Sequence, residues 1–161
     1  MQALLVIDMQ ADTLQKYSPK LLSAVNACID RASAGQALIV YVQNTRRLRR
    51  GPVTSALADG LHVVSPHIFR KERANALTND ALMQLLAQNG VSSVTIIGVD
   101  GNSCIAASAL GARAQGYHTI LPCDCVGVQN AARFEATRAR LLSAGVFVVP
   151  ALTAVPSDCA P

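Results

Sequence analysis

Apolar residues along the chain recur at two spacings, and the alternation between them predicts the fold. Residues 3–7 are continuously apolar, as a strand buried on both faces requires. Ser18, with Pro19 at the first helical position, then opens a segment in which Leu22, Val25, Ile29 and Ala32 recur at helical spacing until Gly35. A β-branched run at residues 37–42 predicts the second strand. Periodicity fails over residues 43–65, and so long an irregular stretch in a compact domain points to function or mobility. A short strand at 67–70 follows, then a helix from Thr78 or Asn79 to Gly90 with Leu82, Leu85 and Leu86 inward. The remaining pattern reads strand 94–98, helix 103–115, strand 117–121, helix 130–143 with Phe134, Thr137 and Leu141 on one side, and strand 146–149.

Strands that alternate with helices imply right-handed crossovers and a parallel sheet covered on both faces. The expected class is therefore α/β: a three-layer αβα sandwich with a mainly parallel six-stranded sheet, Rossmann-like, in the order 3-2-1-4-5-6. Its length of 161 residues suits one domain (residues 1–161), with a tail from about residue 151 that carries Pro156 and Pro161 and is expected to attach loosely. Such sheets bind ligands beyond the carboxyl ends of their strands. Attention falls on Asp8, on the start of the helix near Cys104, and on whatever the long irregular stretch delivers.

Composition narrows the classes. Hydrophobic residues make up 51% and charged ones 15%, which excludes a disordered chain. No apolar run approaches the ~20 residues that span a bilayer, and the opening residues lack a basic region and a small-residue cleavage site. A cytoplasmic protein without membrane contact is expected. The net charge is +4, much of it in "RRLRR", residues 46–50. Clustered arginines attract phosphate and carboxylate, but Gly51 and Pro52 follow and no aromatic residues interleave, so a solvated loop and no nucleic-acid partner are expected.

The five cysteines, at 28, 104, 123, 125 and 159, are odd in number and irregular in spacing, which argues against a disulfide framework. Cys123 and Cys125 flank Asp124 without a second pair to complete a zinc site. His62, His67 and His118 lack a partner at metal-ligand spacing. No metal and no cofactor are expected.

Asp8 ends an apolar strand, where a carboxylate must be paired, solvated or raised in pKa; a structural aspartate bonded to the next loop fits equally. Cys104 lies in the first turn of its helix, where the dipole favours thiolate, although inert burial is the commoner fate of a cysteine. Lys71 reads either as a surface lysine or as a cation able to hold a carboxylate and a thiol together.

Three stretches, in order, resemble the isochorismatase-like cysteine hydrolases: "ALLVIDMQ", "IFRKERANALTN" and "VTIIGVDGNSCIAASALGARAQGYHTILPCDCVG". Together they cover roughly residues 1–145. The resemblance implies that Asp8 is the general base, Lys71 the cation between base and thiol, and Cys104 the nucleophile. It implies a cis peptide between Val99 and Asp100 and an oxyanion hole built from the backbone N–H groups of Asp100 and Cys104. Gln10, Asn44 and Asn102 are candidates for the substrate pocket. The chain departs from the family in Gly101 and Asn102 after Asp100, and in Thr13 where an aromatic residue is usual. Family nicotinamidases bind a metal after the second strand through an aspartate and histidines; here that place reads "VQNTRR", so metal-independent chemistry is expected.

The expectation is a hydrolase that cleaves a C–N bond of a small amide, imide or ureide through a thioester-type intermediate, as a homodimer or larger homo-oligomer. Two alternatives stay open: a non-catalytic binding or assembly protein on the same fold, and thiol redox chemistry at Cys123 and Cys125.

Overall fold

The computed structural model describes residues 1–48 and 51–150. The expected tail from residue 151, with Cys159, and residues 49–50 of the arginine run lie outside them. The main elements are β1 (Gln2–Ile7), α1 (Ala11–Leu14), α2 (Lys20–Ala34), β2 (Leu38–Asn44), β3 (Arg46–Leu48), β4 (Gly51–Val53), β5 (Ile68–Lys71), α3 (Asp80–Gln88), β6 (Ser93–Val99), α4 (Ala106–Ala114), β7 (His118–Pro122), β8 (Val126–Gly127), α5 (Ala131–Ser143) and β9 (Phe147–Val149). A π-helical turn, Gly101–Ile105, leads into α4, and 3-10 turns occupy Ala76–Thr78 and Cys123–Cys125.

The large sheet runs β5-β2-β1-β6-β7-β9 and every pairing within it is parallel. In the numbering of the six expected strands this is the order 3-2-1-4-5-6. A seventh, two-residue strand, β8, pairs with the end of β6. It escaped the sequence pattern because two residues carry no period.

Strand β1 shows why the sheet needs two cores. Ala3, Leu5 and Ile7 point into one apolar cluster, with α3, α4 and α5 over it; Leu4 and Val6 point into the other, under α2. Small side chains let α4 lie close: Ala106, Ala109 and Ala112 are all buried on its sheet-facing side. The inward face of α2 is Leu21, Val25, Cys28 and Ile29, with Leu22 and Ala32 only partly buried. It begins one residue later than expected, with Pro19 as the cap residue and the Ser18 hydroxyl accepting from the Lys20 N–H at 3.3 Å.

Two asparagines start later helices as their sequence positions suggest. Asn79 accepts from the Leu82 N–H and Asn130 from the Arg133 N–H, each satisfying a donor that the helix cannot. The irregular stretch at 43–65 is more ordered than its pattern indicates. It contains the β3–β4 antiparallel hairpin, and Leu57 forms a bridge with Gln10. Its cohesion comes from polar contacts such as the Thr45–Thr54 hydroxyl pair at 2.9 Å, which hydrophobic periodicity does not register.

Candidate active site

Three strand ends deliver the candidate residues to one place. β1 stops at Ile7, and Asp8 takes a positive φ of 55° while donating its N–H to the Val42 carbonyl at 2.8 Å. That conformation, uncommon away from glycine, turns the chain out of the sheet at its carboxyl edge. β5 ends at Lys71, in register with Asn44 of β2. β6 ends at Val99, and the Val99–Asp100 peptide is cis, as the resemblance implies. The π turn that follows carries Cys104.

These elements are locked by close backbone approaches. Gly98 has φ of 115°, and a Cβ there would lie 2.0 Å from the Ile7 carbonyl oxygen. Only glycine lets β6 pass β1 so closely at the site. Ser108, one turn beyond Cys104, is buried and accepts from the Ala76 N–H at 2.9 Å. It ties the segment after Lys71 to the helix that carries the cysteine. Beside it, Asn75 packs where a Cβ on Gly111 would stand. The sequence signal for this strut was a single polar residue on the inward side of an alanine-rich helix.

Asp8, Lys71 and Cys104 converge. Lys71 Nζ donates to Asp8 Oδ2 at 3.0 Å and contacts Cys104 Sγ at 3.2 Å. Asp8 and Lys71 are each 4% exposed, and Cys104 is partly exposed. The second oxygen, Asp8 Oδ1, is buried and has no hydrogen-bond partner among the described residues. Such a group is costly to leave unsatisfied, and here it faces a reactive set.

The electrostatics differ from the sequence expectation in one respect. A helix N-terminus was expected to favour thiolate at Cys104. Burial, followed by the Asp8 charge, instead pushes the thiol pKa up, with Lys71 opposing. Burial likewise raises the Asp8 carboxyl, against the pull of Lys71 and a smaller one from Arg46. Burial thus disfavours the charged form of both groups, and Lys71 is a cation that favours it in each.

Asp100 also organises the turn. Its Oδ1 accepts from the Asn102 N–H at 2.7 Å, while Oδ2 accepts from the Tyr17 hydroxyl and the Gln129 N–H, both at 3.1 Å. Burial and the Asp100 charge raise the Tyr17 pKa, so the phenol stays a donor. Tyr17 and Gln129 carried no sequence signal, because each lies in a connection and acts through a single polar contact.

The pocket candidates fare differently. Gln10 is buried and turned to the loop: it accepts from the Asn44 N–H at 2.7 Å and donates to the Ser55 carbonyl at 2.9 Å. It braces β2 against the irregular stretch, and the partly buried Asn44 takes part through its backbone. Asn102 is engaged away from the thiol, donating to the Asn130 carbonyl and accepting from the Thr137 hydroxyl.

The two neighbouring cysteines do not form a pair. Cys123 packs against the core under α4 and α5, whereas Cys125 belongs to the core under α2. There Cys125 shares the cluster with Cys28 and donates to the Ala24 carbonyl at 3.5 Å. Redox exchange between Cys123 and Cys125 has no structural basis. His62 pairs with Asp30 at 2.8 Å and His118 packs on Phe147, both away from the candidate site. Among the described residues no three His, Cys, Asp or Glu side chains cluster as metal ligands, and no helix is long and apolar enough to cross a membrane.

Known proteins share this framework. A streptothricin hydrolase from Streptomyces noursei is 31% identical over 135 residues, covering 76% of this chain and 53% of that protein. The chain thus spans about half the length of the first relatives it matches. A maleamate amidohydrolase from Pseudomonas putida is 27% identical over 161 residues, covering 83% of this chain and 76% of its own. The zinc-complexed pyrazinamidase of Pyrococcus horikoshii superposes with a TM-score of 0.80 at 24% identity, over 92% of this chain and 98% of that one, a likeness of fold. The isochorismatase domain, as a family model, matches residues 2–151, nearly the whole sheet and its helices; the chain belongs to the isochorismatase family.

Proposed function

We propose that the protein is a cysteine hydrolase that cleaves a C–N bond of a small amide, imide or ureide. The observation that carries this reading is Lys71 Nζ, within 3.2 Å of Cys104 Sγ and 3.0 Å of Asp8 Oδ2. Relatives named for hydrolysis of streptothricin and of maleamate support the reaction class.

The resting site holds Asp8 as carboxylate, Lys71 as ammonium and Cys104 as thiol. As Sγ attacks the carbonyl carbon, its proton passes to Asp8, a base whose pKa burial raises. Lys71 holds both groups in place and offsets negative charge as the thiolate forms. The backbone N–H groups of Asp100 and Cys104 stabilise the tetrahedral oxyanion; in related sites one such donor is worth about 3 kcal/mol. Asp8 then returns the proton to the departing nitrogen, leaving an acyl-thioester on Cys104. Water, deprotonated by Asp8, attacks the thioester and releases the acid and the free thiol.

The reading takes the reaction as metal-independent, so chelator treatment leaves turnover unchanged. It takes a cytoplasmic setting, where thiols stay reduced, and a homodimer or larger assembly, to which exposed apolar Leu142 and Phe147 lend support. The deciding assay is ammonia release from a panel of small amides by the wild-type protein and by Cys104→Ala. Cys104-dependent release supports the proposal, and equal release by both proteins overturns it.

A further inference from the structure

The turn that carries Cys104 is fastened on every side. Its main chain closes on the Asp100 carbonyl, which accepts from the Ser103 N–H at 3.0 Å and the Ile105 N–H at 3.1 Å, the two residues flanking the cysteine. Gly101 and Asn102, where the chain departs from its family, dock the turn on its neighbours. Gly101 is buried, and a Cβ there would lie 2.8 Å from Val128 and 2.9 Å from Phe134. The Asn102 amide donates to the Asn130 carbonyl and accepts from the Thr137 hydroxyl, both at 2.9 Å, which ties the turn to α5.

The Asp100 side chain is the part that the mechanism leaves unexplained. A carboxylate on the residue whose own N–H serves the oxyanion hole sets one negative charge near the place where another develops, and the two repel. Three donors hold that carboxylate: the Asn102 N–H on Oδ1, and the Tyr17 hydroxyl and the Gln129 N–H on Oδ2. Hydrogen bonds to an ionised acceptor are the strong ones. Gln129 closes the ring, its Nε2 donating to the Tyr17 oxygen at 3.3 Å. Tyr17 lies in the connection between α1 and α2, and Gln129 in the connection between β8 and α5. Helices α2 and α5 cover opposite faces of the sheet. The carboxylate is therefore gripped from both faces at once.

We infer that Tyr17 is a positioning residue for the oxyanion hole, acting through Asp100. By holding the Asp100 carboxylate it fixes the turn, keeps the N–H groups of Asp100 and Cys104 aimed at the developing oxyanion, and offsets the carboxylate's own charge. Donors fixed in advance need no rearrangement as charge develops, so a small loss of aim at this turn is felt in the rate. The role rests on Cys104 as the nucleophile, and its test separates the two claims.

The test compares two reactions of the Cys104 thiol, one that passes through an oxyanion and one that does not. With p-nitrophenyl acetate, sulfur adds to the carbonyl carbon, and the tetrahedral oxyanion collapses to an acetyl thioester as p-nitrophenolate leaves. With iodoacetamide, sulfur displaces iodide directly. Tyr17→Phe is expected to slow Cys104-dependent p-nitrophenolate release about tenfold, less than the ~10²-fold that goes with a whole oxyanion donor, while alkylation of the Cys104 peptide stays within about twofold. In an Asp100→Ala background, which keeps both N–H groups, adding Tyr17→Phe is expected to cost nothing further. Unchanged acylation in Tyr17→Phe, equal slowing of both reactions, or a full further loss in the Asp100→Ala background overturns the positioning role while leaving a reactive Cys104 and the hydrolase reading in place. A wild-type Cys104 that is alkylated but never acetylated overturns that role too. A Cys104 unreactive toward both reagents overturns the inference together with the hydrolase reading.

Discussion

Strands β6 and β7 lie side by side in the sheet, and each runs into a turn that carries a cysteine. After β6, Cys104 sits partly exposed against Lys71 at 3.2 Å, with the Asp8 carboxylate beyond. After β7, Cys125 is fully buried among apolar side chains, its neighbour the Cys28 thiol. The interaction with Cys28 and burial push the Cys125 thiol far up. Burial raises Cys104 too, but there Lys71 pulls the other way and Asp8 waits as an acceptor. The edge of a parallel sheet offers a location; the partners brought in from β1 and β5 decide whether a thiol there can react.

The sharpest way to break this contrast is to remove each thiol in turn. Cys104→Ala is expected to lower ammonia release by roughly 10⁴-fold or more, as loss of a nucleophile does elsewhere, while Cys125→Ala keeps turnover within about twofold. Comparable losses in both variants would erase the distinction. Asp8→Asn comes next, with an expected fall of about 10²- to 10⁴-fold, the usual range for a general base. Steady-state rates of a variant with native circular dichroism check it.

The pH dependence sharpens the same point. Asp8 works as a base only when ionised, and burial raises its pKa. Activity is therefore lost on acidification at a pH above that of an ordinary carboxylate, about 4, and recovers as pH rises through the shifted value. A kcat/KM profile with its acid limb at or below the ordinary value would show that another group takes the proton. A smaller effect is expected at Tyr17→Phe. It removes one hydrogen bond to the Asp100 carboxylate, worth about 1.5–3 kcal/mol for a charged acceptor, and thermal unfolding reads the loss.

Much of the fold was legible because period and burial coincide. The apolar run at β1 feeds two cores by alternation, and the stripe Phe134, Thr137, Leu141 faces inward on α5 as its spacing indicates. What escaped is held by polar or very short contacts. The β3–β4 hairpin, the two-residue β8 and the 3-10 turn that turns Cys123 and Cys125 to opposite cores leave no hydrophobic period behind.

The site was legible in part for a related reason. Asp8 and Cys104 stand at strand ends, where a parallel sheet places its chemistry. Lys71 could be singled out only with them, since a lysine near the end of a weak edge strand is by itself unremarkable. Gln10 and Asn102 each brace a neighbouring segment, a role that an amide side chain fills as readily as that of a pocket wall and that only its hydrogen-bond partners reveal. Tyr17 and Asp100 show the converse, a clamp between residues 83 positions apart that no local pattern records.

The central claim is that Cys104 carries the acyl group during turnover. Rapid acid quench of the protein with a slowly hydrolysed amide, followed by peptide mass analysis, tests it most directly. The account predicts the acyl mass on the peptide containing Cys104, appearing with ammonia release and absent in Cys104→Ala. Ammonia released at full rate with that peptide unmodified at every time point, and no dependence on Cys104, would contradict it.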